Sequence, residues 1–295
     1  MKFGIYSNSS RDIGFEVALK TAHIVSSKGA IPVFDTDNIK PSDIGEKDNI
    51  KDIIFGDFKD CDLIISIGGD GTFLSVIAKY RELDIPFIGI NKGSIGFLTE
   101  IEENNIADCI DRIVNKNYKI IERIQLLAKL YDKDNNLKAE EICLNDVSVL
   151  RGAKPHITKL ELSIDGEKVE KFYGDGIVVA TPTGSTAYTL AAGGPLLMPG
   201  MNTMLITPLC SHTLQNTSYV IGPESYIEID LGEFESTPII CPDGRDFPEV
   251  EVNDKLIIKK YDSTIKTINL GITGFFHNVR RKIVARGSFY ENSQE

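Results

Sequence analysis

The first part of the chain alternates short apolar runs with segments in which apolar residues recur every three or four positions. The apolar runs predict strands at 3–6, 31–34, 63–67 and 86–90. The helical spacing predicts helices at 13–27, 72–80 and 102–114. Strands that alternate with helices are typical of a parallel α/β sheet, whose binding sites lie at the carboxyl ends of the strands. We therefore expect a Rossmann-like α/β domain over residues 1–100.

The pattern changes after about residue 118, where strand-like runs follow one another with short turns between them. These runs lie at 124–131, 141–150, 157–164, 167–172, 176–180, 203–207, 226–231, 236–241 and 255–260. They predict a second, mostly antiparallel β-rich domain over residues 101–269, and we expect 270–295 to return and pack on the first domain. The predicted fold class is thus α/β plus β.

Composition narrows the classes of function. A chain of 295 residues can bury a sizeable core, and its net charge of −11 argues against nucleic-acid or membrane-surface binding, since both need basic patches. No apolar run reaches the roughly 18 residues of a membrane span. The five cysteines are scattered and form no Cys-x-x-Cys pair, which favours reduced thiols in a cytoplasmic protein. Residues 1–6 are typical of an immediate first strand rather than a secretory leader.

Gly68-Gly69-Asp70-Gly71 stands between a predicted strand and a predicted helix. Glycines let the backbone approach a ligand closely, and the free N–H groups of a helix start favour phosphate. Asp70 would repel that phosphate, so a chemical role is the better interpretation. The alternative is an ordinary βα turn. The stretch is neither a P-loop nor a dinucleotide fingerprint, because both spacings are missing.

A second cluster lies at 174–188, where a predicted strand ends in hydroxyl-rich and small residues followed by Tyr188. Thr183 or Ser185 would serve as a helix N-cap, which is the structural alternative. The same residues also suit a nucleotide, since hydroxyls lie beside a flat apolar face. Asn145-Asp146 follows an apolar run and is by itself typical of a turn.

Several motifs follow one another along the chain. They are Gly-Gly-Asp-Gly-Thr at 68–72, Asn-x-Gly-x-x-Gly-Phe-Leu at 91–98, Asn-Asp at 145–146, Gly-Asp-Gly at 174–176, Thr-Pro-Thr-Gly-Ser-Thr-Ala-Tyr at 181–188, Gly-Gly-Pro at 193–195, Thr-Pro-Leu-Cys-Ser-His-Thr-Leu at 207–214 and Asp-Gly at 243–244. Over nearly its whole length the chain resembles the NAD kinase family. Gly-Gly-Asp-Gly-Thr alone is shared with diacylglycerol kinase, sphingosine kinase and phosphofructokinase relatives, whereas the 181–188 and 207–214 motifs are much more specific.

The resemblance implies phosphorylation of the adenosine-ribose 2′-hydroxyl of NAD to give NADP. ATP (or polyphosphate) would be the donor, with a divalent metal, Mg²⁺ being the expected one. It also implies a homodimer or homotetramer with shared sites. Asp70 would be the general base.

The resemblance also implies a set of nucleotide-binding residues. They are Gly69, Gly71 and Thr72 in the phosphate cradle; Phe97 over the adenine; Asn145 and Asp146 at the ribose and adenine; Thr183, Thr186, Ala187, Tyr188 and Ala191 along the adenosine and nicotinamide; Tyr173 and Asp175 toward a nucleotide in a neighbouring subunit; and Asp243.

Three positions depart from the usual family pattern. Asp146 stands where many members have Glu, Tyr173 where a basic residue is frequent, and Arg245 where Gln is common. Two rival functions remain at this point. A lipid or sphingoid-base kinase would need a deep apolar acceptor pocket, whereas 181–188 offers hydroxyls and small residues. A non-catalytic NAD(P) sensor would gain nothing from an acid in its anion site.

Overall fold

The chain forms two compact units in a computed structural model that describes residues 1–44, 53–93, 96–154, 156–212 and 216–287, with side chains to residue 284. One unit comprises Met1–Glu122 together with the segment from Ile265 on, and the other comprises Arg123–Thr264. Residues 94–95 of the 91–98 motif and 213–214 of the 207–214 motif lie outside the described residues. Within the described residues, no helix is long and apolar enough to cross a membrane.

Strands and helices are numbered in chain order. The strands are β1 (Lys2–Ser7), β2 (Ile31–Asp35), β3 (Ile54–Gly56), β4 (Leu63–Gly68), β5 (Phe87–Asn91), β6 (Ile101–Glu102), β7 (Lys119–Tyr131), β8 (Leu137–Cys143), β9 (Asp146–Leu150), β10 (Thr158–Ile164), β11 (Glu167–Gly174), β12 (Gly176–Ala180), β13 (Met204–Leu209), β14 (Tyr219–Ile221), β15 (Tyr226–Leu231), β16 (Ile239–Pro242) and β17 (Asp254–Asn269). The helices are α1 (Glu16–Ser27), α2 (Asp70–Tyr80), α3 (Ile106–Val114), α4 (Tyr188–Ala191) and α5 (Phe275–Gly287).

The first unit contains a parallel sheet in the order β3, β2, β1, β4, β5. Every residue of β4 is buried, as expected of a central parallel strand. α1 and α3 begin at Glu16 and Ile106, later than the predicted 13 and 102, because a 3-10 turn precedes each. The parallel α/β arrangement predicted for this part of the chain is confirmed.

The second unit contains antiparallel strands. β11, β10, β15 and β17 pair in that order, and β14, β13, β12, β9 and β16 form a separate antiparallel sheet. Both sets contribute to one core that includes Leu162, Ile177 and Ile258. The β-rich, mostly antiparallel prediction is confirmed. The predicted single strand at 141–150 is wrong, because the chain leaves the ladder at Leu144 and Asn145 between β8 and β9.

The segment that follows residue 100 lies with the first unit. β6 pairs with β5, and α3 buries Ile106 and Ile110 in that unit's core. The chain after residue 264 lies there too. The Leu270 N–H donates to the Glu100 carboxylate at 2.8 Å, and Arg281 forms an ion pair with Glu102.

Candidate active site

β4 ends in the predicted glycine turn, and α2 begins directly after it. Gly69 is the N-cap in an extended conformation, and Asp70 is the first helical residue, so the predicted start at Thr72 is two residues late. Among the described residues, no side chain caps this helix start. Its first main-chain N–H groups are therefore available to a ligand, and an acid in the first turn is favoured by the helix dipole.

The Asp70 carboxylate is held by the main chain of the loop after β5. Oδ2 accepts a hydrogen bond from the Phe97 N–H at 2.7 Å, and Oδ1 accepts one from the Leu98 N–H at 2.9 Å. Gly96 allows this approach, because a Cβ there would lie 2.9 Å from the Asp70 Cγ and nearer still to one carboxylate oxygen. The predicted base is therefore fixed in orientation, and each of its oxygens keeps a lone pair for a further donor.

A pocket of about 440 Å³ opens beside the glycine turn. Its lining includes Gly69, Gly71, Thr72, Asn8, Arg11 and Asn38. The Asn8 amide donates to the Thr72 hydroxyl at 2.9 Å and so ties the loop after β1 to the start of α2. Main-chain N–H groups, hydroxyls, amides and a guanidinium are the donors that bind phosphate oxygens.

In the second unit, the Asp243 carboxylate fixes the segment between β8 and β9. It accepts hydrogen bonds from the N–H groups of Leu144 at 2.8 Å, Asn145 at 2.7 Å and Asp146 at 3.1 Å. Asp243 has a positive φ of 49°, a conformation that short acidic side chains tolerate. The carboxylate thereby holds Asn145 and Asp146 in place from a distant part of the chain.

The buried side chains of Asn145 and Asp146 are unusual, because one lacks a hydrogen-bond partner and the other has a strongly raised pKa. The Asn145 Oδ1 is buried, and no described residue donates a hydrogen bond to it. Burial raises the pKa of Asp146 to about 7, and the neighbouring Asp243 adds to the shift. Burial also raises the pKa of Asp243, against the opposing effect of its three main-chain donors and Arg245. Polar groups of a bound ligand can form hydrogen bonds with the unpaired amide oxygen and with the carboxyl group beside it.

The hydroxyl-rich segment at 181–188 packs directly against Asn145. The Thr181 N–H donates to the Asn145 carbonyl at 2.8 Å, and the Thr181 hydroxyl donates to the Leu144 carbonyl at 2.6 Å. Gly184 lies so close that a Cβ there would clash with the Asn145 carbonyl. The Thr183 hydroxyl accepts a hydrogen bond from Arg123 at 3.2 Å. The structure thus brings Asn145, Asp146 and Thr183 together, as the sequence motifs indicate.

Tyr188 begins α4, and its side chain is 42% exposed. Burial of part of the ring raises the pKa of its hydroxyl, and the charges of Cys210, Asp175 and Asp146 add to the shift. Ala187 is half-buried and Ala191 exposed.

Tyr173 lies near the end of β11, and Asp175 lies just beyond that strand. Asp175 forms an ion pair with Arg151 at 3.0 Å, and both side chains are partly exposed. Tyr173 is 40% exposed.

Two family models match the chain in succession. The ATP-NAD kinase N-terminal domain matches residues 11–118, and the ATP-NAD kinase C-terminal domain matches 144–270. An NAD kinase of Ruminiclostridium cellulolyticum is 36% identical over 97% of this chain and 98% of its own. The chain belongs to the NAD kinase family. A family member from Caldanaerobacter subterraneus subsp. tengcongensis is 32% identical over 97% of this chain and 99% of its own.

Solved structures of NAD kinases share the fold. Yeast NADH kinase complexed with NADH matches 97% of this chain and 87% of its own with a TM-score of 0.82 at 22% identity. An NAD kinase from Archaeoglobus fulgidus in complex with ATP matches 96% of this chain and 98% of its own with a TM-score of 0.70 at 22% identity. These structures confirm the predicted fold class, while the family models and the relatives confirm the resemblance found in the sequence motifs.

Sequence reasoning missed several residues that lie beside the predicted site residues. Asn8 and Arg11 follow β1, at the same sheet edge as the glycine turn, and that position is the signal that could have found them. Lys282 is 4% exposed, and its Nζ lies 4.5 Å from the centre of the Phe97 ring. No local pattern indicates that contact, because the two residues are far apart in sequence.

Proposed function

We propose that this member of the NAD kinase family transfers the γ-phosphoryl group of ATP to the adenosine-ribose 2′-hydroxyl of NAD, with Asp70 as the general base. The observation that carries the proposal is the Asp70 carboxylate, held by the Phe97 and Leu98 N–H groups at the start of α2. ADP and NADP are the products.

In the proposed step, the Asp70 carboxylate accepts the proton of the ribose 2′-hydroxyl. At the same time, the 2′-oxygen forms a bond to the γ-phosphorus of ATP. The bond between the γ-phosphorus and the bridging oxygen breaks, and ADP leaves with the electron pair. Phosphoryl transfer depends mainly on positioning and charge stabilisation, so a fixed carboxylate fits the need. A general base contributes on the order of 10²–10⁴-fold.

Gly69, Gly71 and Thr72 would hold the donor's phosphates through the open start of α2. Mg²⁺ usually binds substrate phosphates together with one or two carboxylates, and Asp70 is an acid placed on that same turn. The substrate phosphates would supply most of the metal's ligands, and one oxygen of Asp70 would complete them while the other accepts the proton. When bound, the metal would neutralise charge on the phosphates.

The second unit would recognise NAD. The unpaired Asn145 Oδ1 suits an amino donor, and the Asp146 carboxyl suits ribose hydroxyls. Thr183, Thr186, Ala187, Tyr188 and Ala191 would follow the adenosine and nicotinamide parts. Phe97 would cover the adenine. Asp243 would act through the loop it holds rather than by direct contact, since its oxygens already accept three main-chain N–H groups.

The same proposal includes a homodimer or homotetramer with shared sites. The partly exposed Tyr173 and Asp175 support it, since both would reach a nucleotide bound to a neighbouring subunit. We also propose that the enzyme works in the cytoplasm, in keeping with five free cysteines.

The test is incubation of the purified protein with NAD, ATP and Mg²⁺, followed by an NADP-specific dehydrogenase assay. ATP-dependent NADP formation that disappears in Asp70→Asn is the expected result. NAD binding without NADP formation, from ATP or polyphosphate, would contradict the proposal and favour a sensor. Replacing ATP by polyphosphate in the same assay determines the donor range.

A further inference from the structure

Arg11 lies on the loop after β1, and its side chain reaches across the end of the neighbouring strand. β4 lies between β1 and β5 in the parallel sheet. The Arg11 Nη1 comes within 3.3 Å of the position that a Cβ would take on Gly93, which follows β5. The guanidinium therefore extends over the carboxyl end of β4, where Gly68 and Gly69 turn into α2.

Arg11 also lines the pocket beside the glycine turn. Of the described residues that line this pocket, Arg11 is the charged one, and the others offer hydroxyl, amide, phenol or main-chain groups. A guanidinium that faces uncharged donors in a pocket at a helix start concentrates positive potential there. Such a pocket favours an anion.

Two acids, one beside Arg11 in sequence and one beside Lys92, are engaged elsewhere. Asp12 is buried and accepts hydrogen bonds from the Ser7 hydroxyl at 2.7 Å and the Val17 N–H at 2.9 Å. Glu103 forms an ion pair with Lys92 at 2.9 Å. Among the described residues, no carboxylate lies within ion-pair distance of Arg11. Its charge is available to a ligand.

We propose that Arg11 binds the phosphate chain of the phosphoryl donor. The guanidinium presents a planar fork of donors that matches two phosphate oxygens at once, which a lysine ammonium does not. It acts with the N–H groups of Gly69 and Gly71 on the same pocket. This inference rests on the proposed function for the identity of the donor, but the phosphate-binding role can be tested without turnover.

The experiment compares Arg11→Met, Arg11→Lys and wild type, with Lys92→Met as the matched control. Lys92 is a cation one residue from Gly93 whose charge is already paired with Glu103. The KM values for ATP and NAD are measured, together with inhibition by tripolyphosphate and by adenosine. Direct binding of tripolyphosphate is measured by calorimetry without NAD.

The expected result is a specific loss of phosphate affinity. Arg11→Met raises the KM for ATP and weakens tripolyphosphate binding by about 10- to 100-fold, the range for hydrogen bonds to charged groups. Inhibition by adenosine and the KM for NAD stay at wild-type values. Arg11→Lys is intermediate, and Lys92→Met behaves as wild type.

Unchanged tripolyphosphate binding in Arg11→Met overturns the proposal. An equal loss of adenosine and tripolyphosphate also overturns it, because that pattern indicates a collapsed pocket. If Arg11→Met does not fold, Arg11→Lys decides, and wild-type binding in that variant counts against the bidentate contact. Arg11-dependent tripolyphosphate binding in a protein that makes no NADP supports the proposal while the proposed function fails.

Discussion

Each unit contains an aspartate whose carboxylate accepts hydrogen bonds from main-chain N–H groups of a distant loop. The two carboxylates differ in how many lone pairs remain for a further donor. Asp70 accepts two such bonds and is partly exposed at the start of a helix. Asp243 accepts three, is 6% exposed, and lies 3.8 Å from Arg245. A carboxylate has about four lone-pair sites, so Asp70 keeps capacity for a substrate hydroxyl while Asp243 is nearly saturated.

Similar hydrogen bonds to a carboxylate therefore serve different roles, depending on how deeply the carboxylate is buried and on the groups around it. Main-chain donors orient both groups. Asp70 is partly exposed and accepts only two of these bonds, so its remaining lone pairs can serve chemistry. At Asp243 burial and three main-chain donors make the carboxylate costly to replace, so the orientation is useful for holding a loop. Predictions that separate activity from stability test this difference.

The largest expected effect is the loss of activity in Asp70→Asn. Asn cannot accept the 2′-hydroxyl proton, so kcat falls on the order of 10²–10⁴-fold. Its amide oxygen still accepts one loop N–H, and the melting temperature stays close to that of the wild type. Steady-state kinetics and thermal melts measure both. A kcat near the wild-type value would falsify the assignment of Asp70 as the base.

The second prediction changes the loop instead of the acid. In Gly96→Ala the new Cβ meets the Asp70 carboxylate and the Thr99 hydroxyl. Overpacking of this kind costs about 1–3 kcal/mol, which corresponds to roughly 10- to 100-fold in kcat if the carboxylate moves. Gly222→Ala is the control, since a Cβ there meets nothing within 4 Å. Equal kcat in both variants would show that the loop does not position Asp70.

Local sequence predicted the parts of the fold that local chemistry fixes. The glycine turn after β4, the parallel order of the first unit and the antiparallel strands of the second follow from periodicity and turn residues. The break between β8 and β9 did not, because it depends on Asp243, about 100 residues away, and on the Thr181 hydroxyl. Arg11 and Lys282 were missed for the same reason. Their partners are brought near only by the fold, so site residues in a single element are easier to predict than those supplied by another.

The third prediction concerns Asp243→Asn, the counterpart of Asp70→Asn. Asn replaces an acceptor oxygen by an amide N–H group, which then faces main-chain donors. Leaving buried N–H groups unpaired costs about 1–3 kcal/mol each, so this variant loses stability. Its KM for NAD rises because Asn145 and Asp146 shift, while kcat at saturating NAD changes less. Denaturant unfolding and kinetics measure the split. A fall in kcat with unchanged stability and KM would reverse the comparison.

The fourth prediction uses the raised pKa of Asp146. The folded-state pKa of about 7 lies above the ordinary value of 3.8, so the folded protein holds a proton that the unfolded chain releases between those values. Stability from this group is present below pH 4 and is lost as pH rises to about 7. The loss is about 1.4 kcal/mol per pH unit.

The side chain at position 146 stays neutral at all these pH values in Asp146→Asn. This variant therefore lacks the decrease in the free energy of unfolding that Asp146 causes as the pH rises. Relative to wild type, we expect its free energy of unfolding to gain about 2–3 kcal/mol between pH 5 and pH 8. Urea unfolding at several pH values measures the difference. Asp134→Asn, in the exposed loop after β7, is the control for removal of one carboxylate from the surface. A free-energy difference between Asp146→Asn and wild type that is the same at every pH would show that the pKa of Asp146 is not raised.

The smallest expected effect comes from Lys282→Met, which acts on the loop that holds Asp70. The Lys282 ammonium lies over the Phe97 ring, and the Phe97 N–H donates to Asp70. Methionine keeps the apolar stem but removes the cation–π contact, which is worth about 0.5–2 kcal/mol. We expect kcat to fall by roughly 2- to 10-fold, with partial rescue by Lys282→Arg. Arg281→Met, which removes the neighbouring ion pair with Glu102, is the control and keeps the wild-type kcat.

In an Asp70→Asn background, Lys282→Met should have no further effect, because the contact acts only through the carboxylate. A further decrease there would mean that Lys282 serves the reaction by a route independent of Asp70.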